Sequence, residues 1–217
     1  MQEFELLSIS HFLGFCICLA AIIFIPKAIQ AKPGLENFSK YFLVFLLVEN
    51  QIRSTYVETF IKGGNLLENL PLHLCDFSAI VIAVFLLTGF RPLFIFAYFW
   101  GIAGAGMSIL TPDSEFAFPH YEYFATMYGH SLILLAVVFS IVNLGQRPYL
   151  SDIPKLIFYS SILLVIMYGI NYILGANYWY LNERPYGDNI LSLMPEPPVH
   201  MFIPVSYTHL TLPTNLS

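Results

Sequence analysis

Six long apolar stretches leave this chain few ways to fold. They lie at about 7–26, 39–61, 71–89, 92–110, 120–143 and 154–175. Each approaches or exceeds the ~20 residues that cross a bilayer as a helix. In lipid a helix is the economical answer, because it satisfies every backbone polar group within the segment. Breaker signals fill the joints: Lys32-Pro33-Gly34, Gly63-Gly64-Asn65, Gly89-Phe90-Arg91-Pro92, Thr111-Pro112-Asp113 and Gly145-Gln146-Arg147-Pro148. The expected fold is an all-α polytopic transmembrane bundle. It has six complete helices plus a truncated seventh that starts at 199–204. Residues 1–204 form one bundle.

Composition agrees. Hydrophobic residues make up 57% of the 217 and charged residues 11%, with mean hydropathy +0.69. A soluble domain carries about 25% charged residues. The net charge of −5 comes without a basic cluster, so no nucleic-acid partner is expected. The partners expected are membrane lipids, and oligomeric state is left open. The start of the chain is acidic rather than basic, unlike a cleavable signal peptide. Cys16, Cys18 and Cys75 make no disulfide framework. Cys16 and Cys18 lie about 200° apart on one helix and cannot share a metal.

Orientation follows from positive charge. Lys27, Lys32, Lys40, Arg91, Arg147 and Lys155 fall at the first, third and fifth joints, which the positive-inside rule assigns to the cytoplasm. The chain is therefore expected in the cell membrane with its N-terminus extracytoplasmic. The run VSYTHLTLPT at 205–214 is polar and Thr-rich, and looks like a translated sequencing adaptor. Residues 205–217 are read as that artefact, and His209 is set aside.

With this topology the polar residues gather in the outer half. His73, Cys75 and Asp76 open helix three. Asp113 closes helix four. His120 and Glu122 open helix five, and His130 lies about 15 Å deeper than His120. Glu49, Asn50 and Arg53 lie in helix two, and Asn171 and Asn177 near the end of helix six. Ionisable groups at membrane depth carry a functional expectation. His73 and Cys75, two apart, face nearly opposite ways, whereas His73 and Asp76 can touch. A base for Cys75 must come from another helix, and His130 is the candidate. A thiol beside an imidazole forms a reactive thiolate, giving a Cys–His nucleophile pair.

Structural readings stand beside these. Glu49 and Arg53, at i,i+4 spacing, can simply neutralise each other. The Tyr178-Trp179-Tyr180 run reads as an interfacial aromatic belt. Asp113 can serve only its turn. His73, Asp76, Asp113, His120 and His130 could supply metal ligands, but HxxxH and HExxH spacings are absent and no metal is assigned. GIAGAG at 101–106 sits mid-span with no strand before it. It is a close-packing surface rather than a nucleotide loop, and no cofactor is expected.

The same residues carry a resemblance. LPLHLCD at 70–76, the stretch from Trp100 to the TPD at 111–113, FPH at 118–120, GH at 129–130 and NYWYLNERP at 177–185 resemble bacterial YwaF-like integral membrane proteins. These are similar to the eukaryotic transmembrane protein 164 family. The resemblance covers nearly all of 35–200. It implies a lipid acyltransferase with a Cys acyl-enzyme and a His, matched here by Cys75 and His130. It does not carry the eukaryotic ether-lipid substrate over to this chain. Arg184 stands where Lys is common, and the family continues through a further helix.

Three functions are therefore weighed. The first is an acyltransferase or acyl-lipid remodelling enzyme using Cys75 and His130, supported by His73, Asp76, Asp113, Glu49, Arg53 and Asn177. The second is a transporter or carrier with a polar pathway through Glu49, Arg53 and His130. The third is a non-catalytic seven-helix receptor or assembly factor.

Overall fold

The computed structural model describes residues 3–112 and 114–183. Asp113, Arg184, the expected seventh helix and the 205–217 run lie outside the described residues. Among the described residues the chain forms six helical rods and no strand beyond one isolated Glu3–Phe116 bridge. We number the rods α1 (Ile9–Gln30), α2 (Glu36–Tyr56), α3 (Leu74–Thr88), α4 (Arg91–Leu110), α5 (Tyr121–Val142) and α6 (Ile153–Leu174).

Their ends follow local chemistry. The Ser8 hydroxyl accepts the His11 N–H and caps α1. Gly89 (φ 70°) ends α3 and Gly175 (φ 65°) ends α6. Both adopt the left-handed conformation that glycine takes without steric cost. Two rods contain a widened π turn: Val57–Ile61 extends α2, and Ala97–Gly101 lies within α4. Such turns are often found at functional sites.

One expectation changes here. The first apolar segment is expected to end at Pro26, but α1 continues to Gln30 and buries that proline. In an apolar setting, breaking the helix would strand more carbonyls than the one that proline's missing N–H leaves unpaired. Among the described residues, four helices are long and apolar enough to cross a membrane: Ile9–Gln30, Arg91–Leu110, Tyr121–Val142 and Leu150–Leu174. α2 carries Glu36, Lys40, Glu49 and Arg53, and α3 has only 15 residues.

α3, α4 and α5 form the centre. Ile82, Phe85, Phe94, Ala97, Ala136, Val137 and Phe139 are essentially sealed there. The small residues of 101–106 bring α4 close to its neighbours. A Cβ on Gly101 would meet Ile133 at 3.1 Å, and one on Gly104 would meet the Cys75 sulfur at 3.1 Å. α1 packs mainly on α5, and α2 on α3. α6 is peripheral, tied to the centre by a bond from Trp100 Nε1 to Ser160 Oγ at 2.8 Å.

The aromatic run after α6 is not a belt at the interface. Tyr178 and Trp179 are buried. Asn171 exchanges two hydrogen bonds with the Tyr178 backbone, at 2.8 and 2.9 Å. The Tyr178 hydroxyl donates to the Leu67 carbonyl at 2.7 Å and accepts the Leu70 N–H at 3.0 Å. Trp179 Nε1 donates to the Leu72 carbonyl at 2.8 Å. Trp179 and Tyr180 take positive φ of 60° and 52°, a strained region for large side chains. The strain is held because these bonds clamp the loop that leads into α3. Belt residues and clamp residues share the same amphipathic chemistry, so sequence did not separate them.

Candidate functional site: a polar cavity between α2, α3 and α5

The clamped loop fixes where α3 begins. His73 is its N-cap residue, but no side chain caps the helix. Its ring instead packs on Tyr178 and Tyr180, with centroids 4.9 and 5.7 Å away. Asp76, in the first turn of α3, lines the cavity beside the buried Gln51 of α2. The first-turn amides of Leu74, Cys75 and Asp76 have no partner within the helix, as at any helix start. They present donors and the positive end of the helix dipole.

Cys75 and His130 line the same cavity, which encloses about 410 Å³. The Cys75 thiol rests against α4, where a Cβ on Gly104 would come within 3.1 Å of the sulfur. His130 Nδ1 lies 2.7 Å from the Thr126 carbonyl oxygen. A carbonyl only accepts, so in the neutral ring the proton sits on Nδ1 and Nε2 keeps the basic lone pair. Both residues are half-buried, sheltered by the helices yet accessible from the cavity.

Charged groups line the rest of the cavity. The Arg53 guanidinium pairs with Glu49 at 3.2 Å, bonds Asn50 at 2.6 Å and reaches the Tyr121 hydroxyl. Lys62 bridges Glu58 at 3.1 Å and Glu122 at 2.6 Å. Burial opposes the Lys62 charge, but Glu122 and Glu58 outweigh it and hold the ammonium above the ordinary lysine range. Both cations are thus internally neutralised. Glu115 adds a further carboxylate to the lining.

The structure therefore brings together Cys75, Asp76, Arg53 and His130. Glu49 reaches the cavity only through Arg53. His73 faces the aromatic clamp. Asn177 closes its own loop through bonds with Asn182 and Glu183. Asp113 lies outside the described residues. The three histidines considered as metal ligands are separated: His73 on the clamp, His120 accepting the Glu122 N–H at the start of α5, and His130 in the cavity. Among the described residues, no three His, Cys, Asp or Glu side chains are grouped to hold a metal ion. Sequence reasoning missed Gln51, Glu58 and Glu115. The polar run Glu49-Asn50-Gln51 inside an apolar segment was the signal for Gln51.

A helical bundle with several membrane-length apolar helices and an internal polar cavity defines an integral membrane protein. The model of the TMEM164 family, a membrane protein family, matches residues 3–213, and this chain belongs to that family. It is also similar to a protein of Treponema pallidum (strain Nichols) described only as uncharacterized. The two are 29% identical over 172 residues, covering 76% of this chain and 68% of the relative. No solved structure matches the chain.

Proposed function

We propose that this protein transfers acyl groups between membrane lipids, with Cys75 as nucleophile and His130 as general base and acid. The observation that carries the reading is the shared cavity: a thiol and an imidazole from different helices line it, and the imidazole is held with Nε2 free to accept a proton. In this reading all six rods are embedded in the cell membrane, with a seventh helix following. The cavity then lies in the extracytoplasmic half, and an acyl-lipid enters laterally between helices.

The chemistry balances without a cofactor. Nε2 of His130 takes the Cys75 thiol proton, directly or through one water. The thiolate attacks the ester carbonyl, forming an S–C bond and a tetrahedral oxyanion. The first-turn amides of α3 are placed to stabilise that oxyanion. Collapse breaks the ester C–O bond, and the leaving alkoxide takes the proton from His130. A hydroxyl of a second lipid then gives its proton to Nε2 and attacks the thioester, and Cys75 leaves as thiolate. Returning the proton restores the starting state.

Proteoliposomes containing an acyl-labelled phospholipid and a lysophospholipid acceptor test the reading. Label should move to the acceptor with the native chain and not with Cys75→Ala. Undiminished transfer by Cys75→Ala refutes the mechanism. The polar wall formed by Arg53, Lys62, Glu58 and Glu122 favours a second reading, a carrier with a hydrophilic passage. Solute uptake that needs Arg53 and is indifferent to Cys75 would select it.

A further inference from the structure

Arg53 fixes the direction of a neighbouring amide. Its Nε pairs with Glu49 at 3.2 Å, Nη1 donates to the Tyr121 hydroxyl, and Nη2 donates to Asn50 Oδ1 at 2.6 Å. A guanidinium only donates, so the Asn50 amide has one orientation here: Oδ1 toward Arg53 and the NH2 group turned away. That NH2 group lies against α5, where a Cβ on Gly129 would meet Nδ2 at 2.9 Å. Gly129 directly precedes His130, the proposed base. Asn50, Gly129, His130 and Cys75 all line the cavity. Among the described residues no acceptor takes the Nδ2 protons, and the nitrogen is not sealed from the cavity.

Such a group suits an oxygen that gains charge during a reaction. It is neutral, so no carboxylate has to neutralise it, whereas Arg53 and Lys62 are held in ion pairs. Its direction is set before substrate arrives, so it costs no reorganisation when the charge appears. Ser54 and Thr126 also bring donors to the wall, but a hydroxyl turns about its C–O bond, and an amide held by a guanidinium does not. Arg53 also draws electron density toward Oδ1, and chained hydrogen bonds of this kind strengthen the outer donor. Glu49 acts at one remove, by holding the guanidinium in place.

We infer that Asn50 is a further catalytic residue, its Nδ2 donating to the substrate's acyl oxygen as the thiolate adds. Attack on the carbonyl moves the C=O π pair onto oxygen. Nδ2–H donates to that oxyanion and keeps its proton, and collapse returns the pair and releases the alkoxide. The side-chain donor of α2 then acts with the first-turn amides of α3, the helix on which α2 packs. The inference rests on the Cys75–His130 reading and adds to it a residue that neither takes nor gives a proton.

The test compares the native full chain in vesicles with Asn50→Ala and Asn50→Asp. Asn50→Asp leaves Arg53 an acceptor in the same place and removes only the donor. Both variants should take up the acyl group of a phospholipid about 10²–10³-fold more slowly at saturation, the cost of one oxyanion donor, with KM nearly unchanged. Two lipid analogues separate chemistry from folding. A trifluoromethyl ketone in place of the ester adds the Cys75 thiol reversibly and puts an oxyanion where the transition state has one. Its affinity should fall by about the same factor in both variants. The analogue with CH2 in place of the carbonyl forms no adduct and should bind all three proteins equally. A native rate or a native ketone affinity in Asn50→Asp overturns the inference and leaves Asn50 as an anchor for Arg53. So does a loss that affects the CH2 analogue as strongly as the ketone, which a displaced helix would produce. Failure of the acyltransferase reading looks different: the native chain itself takes up no acyl group and binds the two analogues alike, and the inference falls with it.

Discussion

The two ends of the α3–α4 hairpin both gather polar side chains, and they use them in opposite ways. At the end where α4 begins, Arg91 grips Asp152 through two bonds of 2.7 and 2.8 Å and also donates to the Arg147 carbonyl at 3.0 Å. Asp152 in turn accepts the Tyr149 N–H at 2.8 Å, and the guanidinium lies over the Tyr149 ring. Each strong group there is answered by another. At the end where α3 begins, Arg53 and Lys62 are likewise answered by carboxylates, but the network surrounds a cavity. Into it open a thiol, an imidazole nitrogen and a helix N-terminus without a side-chain cap. A closed polar network tethers helices. One left open around a cavity is organised for a ligand. That contrast separates a structural cluster from a candidate site better than the number of charges does.

The contrast breaks most readily at Cys75. Cys75→Ala should abolish lipid acyl transfer while the protein elutes from detergent as the native chain does. His130→Ala should lower transfer by about 10²–10⁴-fold, the usual contribution of a general base. Cys75 should stay open to alkylation in that variant, so that loss of activity is traced to the base and not to misfolding.

At the closed end the expectation reverses. Arg91→Ala should cost stability, by about 1 kcal/mol, the upper end for a bidentate pair whose arginine is two-fifths exposed. It is read as a lower midpoint of thermal unfolding in detergent, with transfer by the surviving protein at the native rate. A drop in transfer without a drop in stability would show that the two ends are not separable in this way.

A glycine pair gives a finer cut. Gly104→Ala places a methyl 3.1 Å from the Cys75 sulfur, whereas a methyl on Gly106 meets nothing within 4 Å. Transfer and Cys75 alkylation should fall severalfold for Gly104→Ala, about the effect of one displaced reacting atom. They should be unchanged for Gly106→Ala.

The smallest effect is expected at Lys62, whose ion pairs are more than a third exposed on the lysine side. Pairs of that kind contribute about 0–1 kcal/mol. Because its folded pKa lies above the ordinary 10.5, the contribution is complete below that value and lost only as pH rises through the folded value. The stability gap between native and Lys62→Met proteins should stay flat from about pH 6 to 9 and close only above about pH 10.5. Closure at neutral pH would contradict the pairing.

Much of the fold was legible in the sequence because hydropathy and breakers act locally. The starts of α4 and α6 at Arg91 and Ile153 fall within one residue of the segment starts. Pro26 misled because its local effect, one missing N–H, is small beside the cost of unsatisfied backbone in an apolar setting. For the cavity, helical spacing gave the expectation that His73 and Cys75 diverge; His73 does turn away, but from the extended N-cap position and onto the aromatic clamp. Spacing could not show that the thiol lies against Gly104, because that contact depends on how closely α4 packs on α3. Nor could it tell a clamp from a belt at Tyr178 and Trp179, since burial is set by the loop they fold onto.

The central claim is a covalent one and is read most directly as mass. Purified full-length protein incubated with vesicles of a single defined phospholipid, without acceptor, should gain the mass of one acyl chain. The adduct should map to Cys75, be released by hydroxylamine as a thioester is, and be absent from Cys75→Ala. An unmodified Cys75 in a preparation that nevertheless moves acyl groups, or an adduct that persists in Cys75→Ala, would contradict the account.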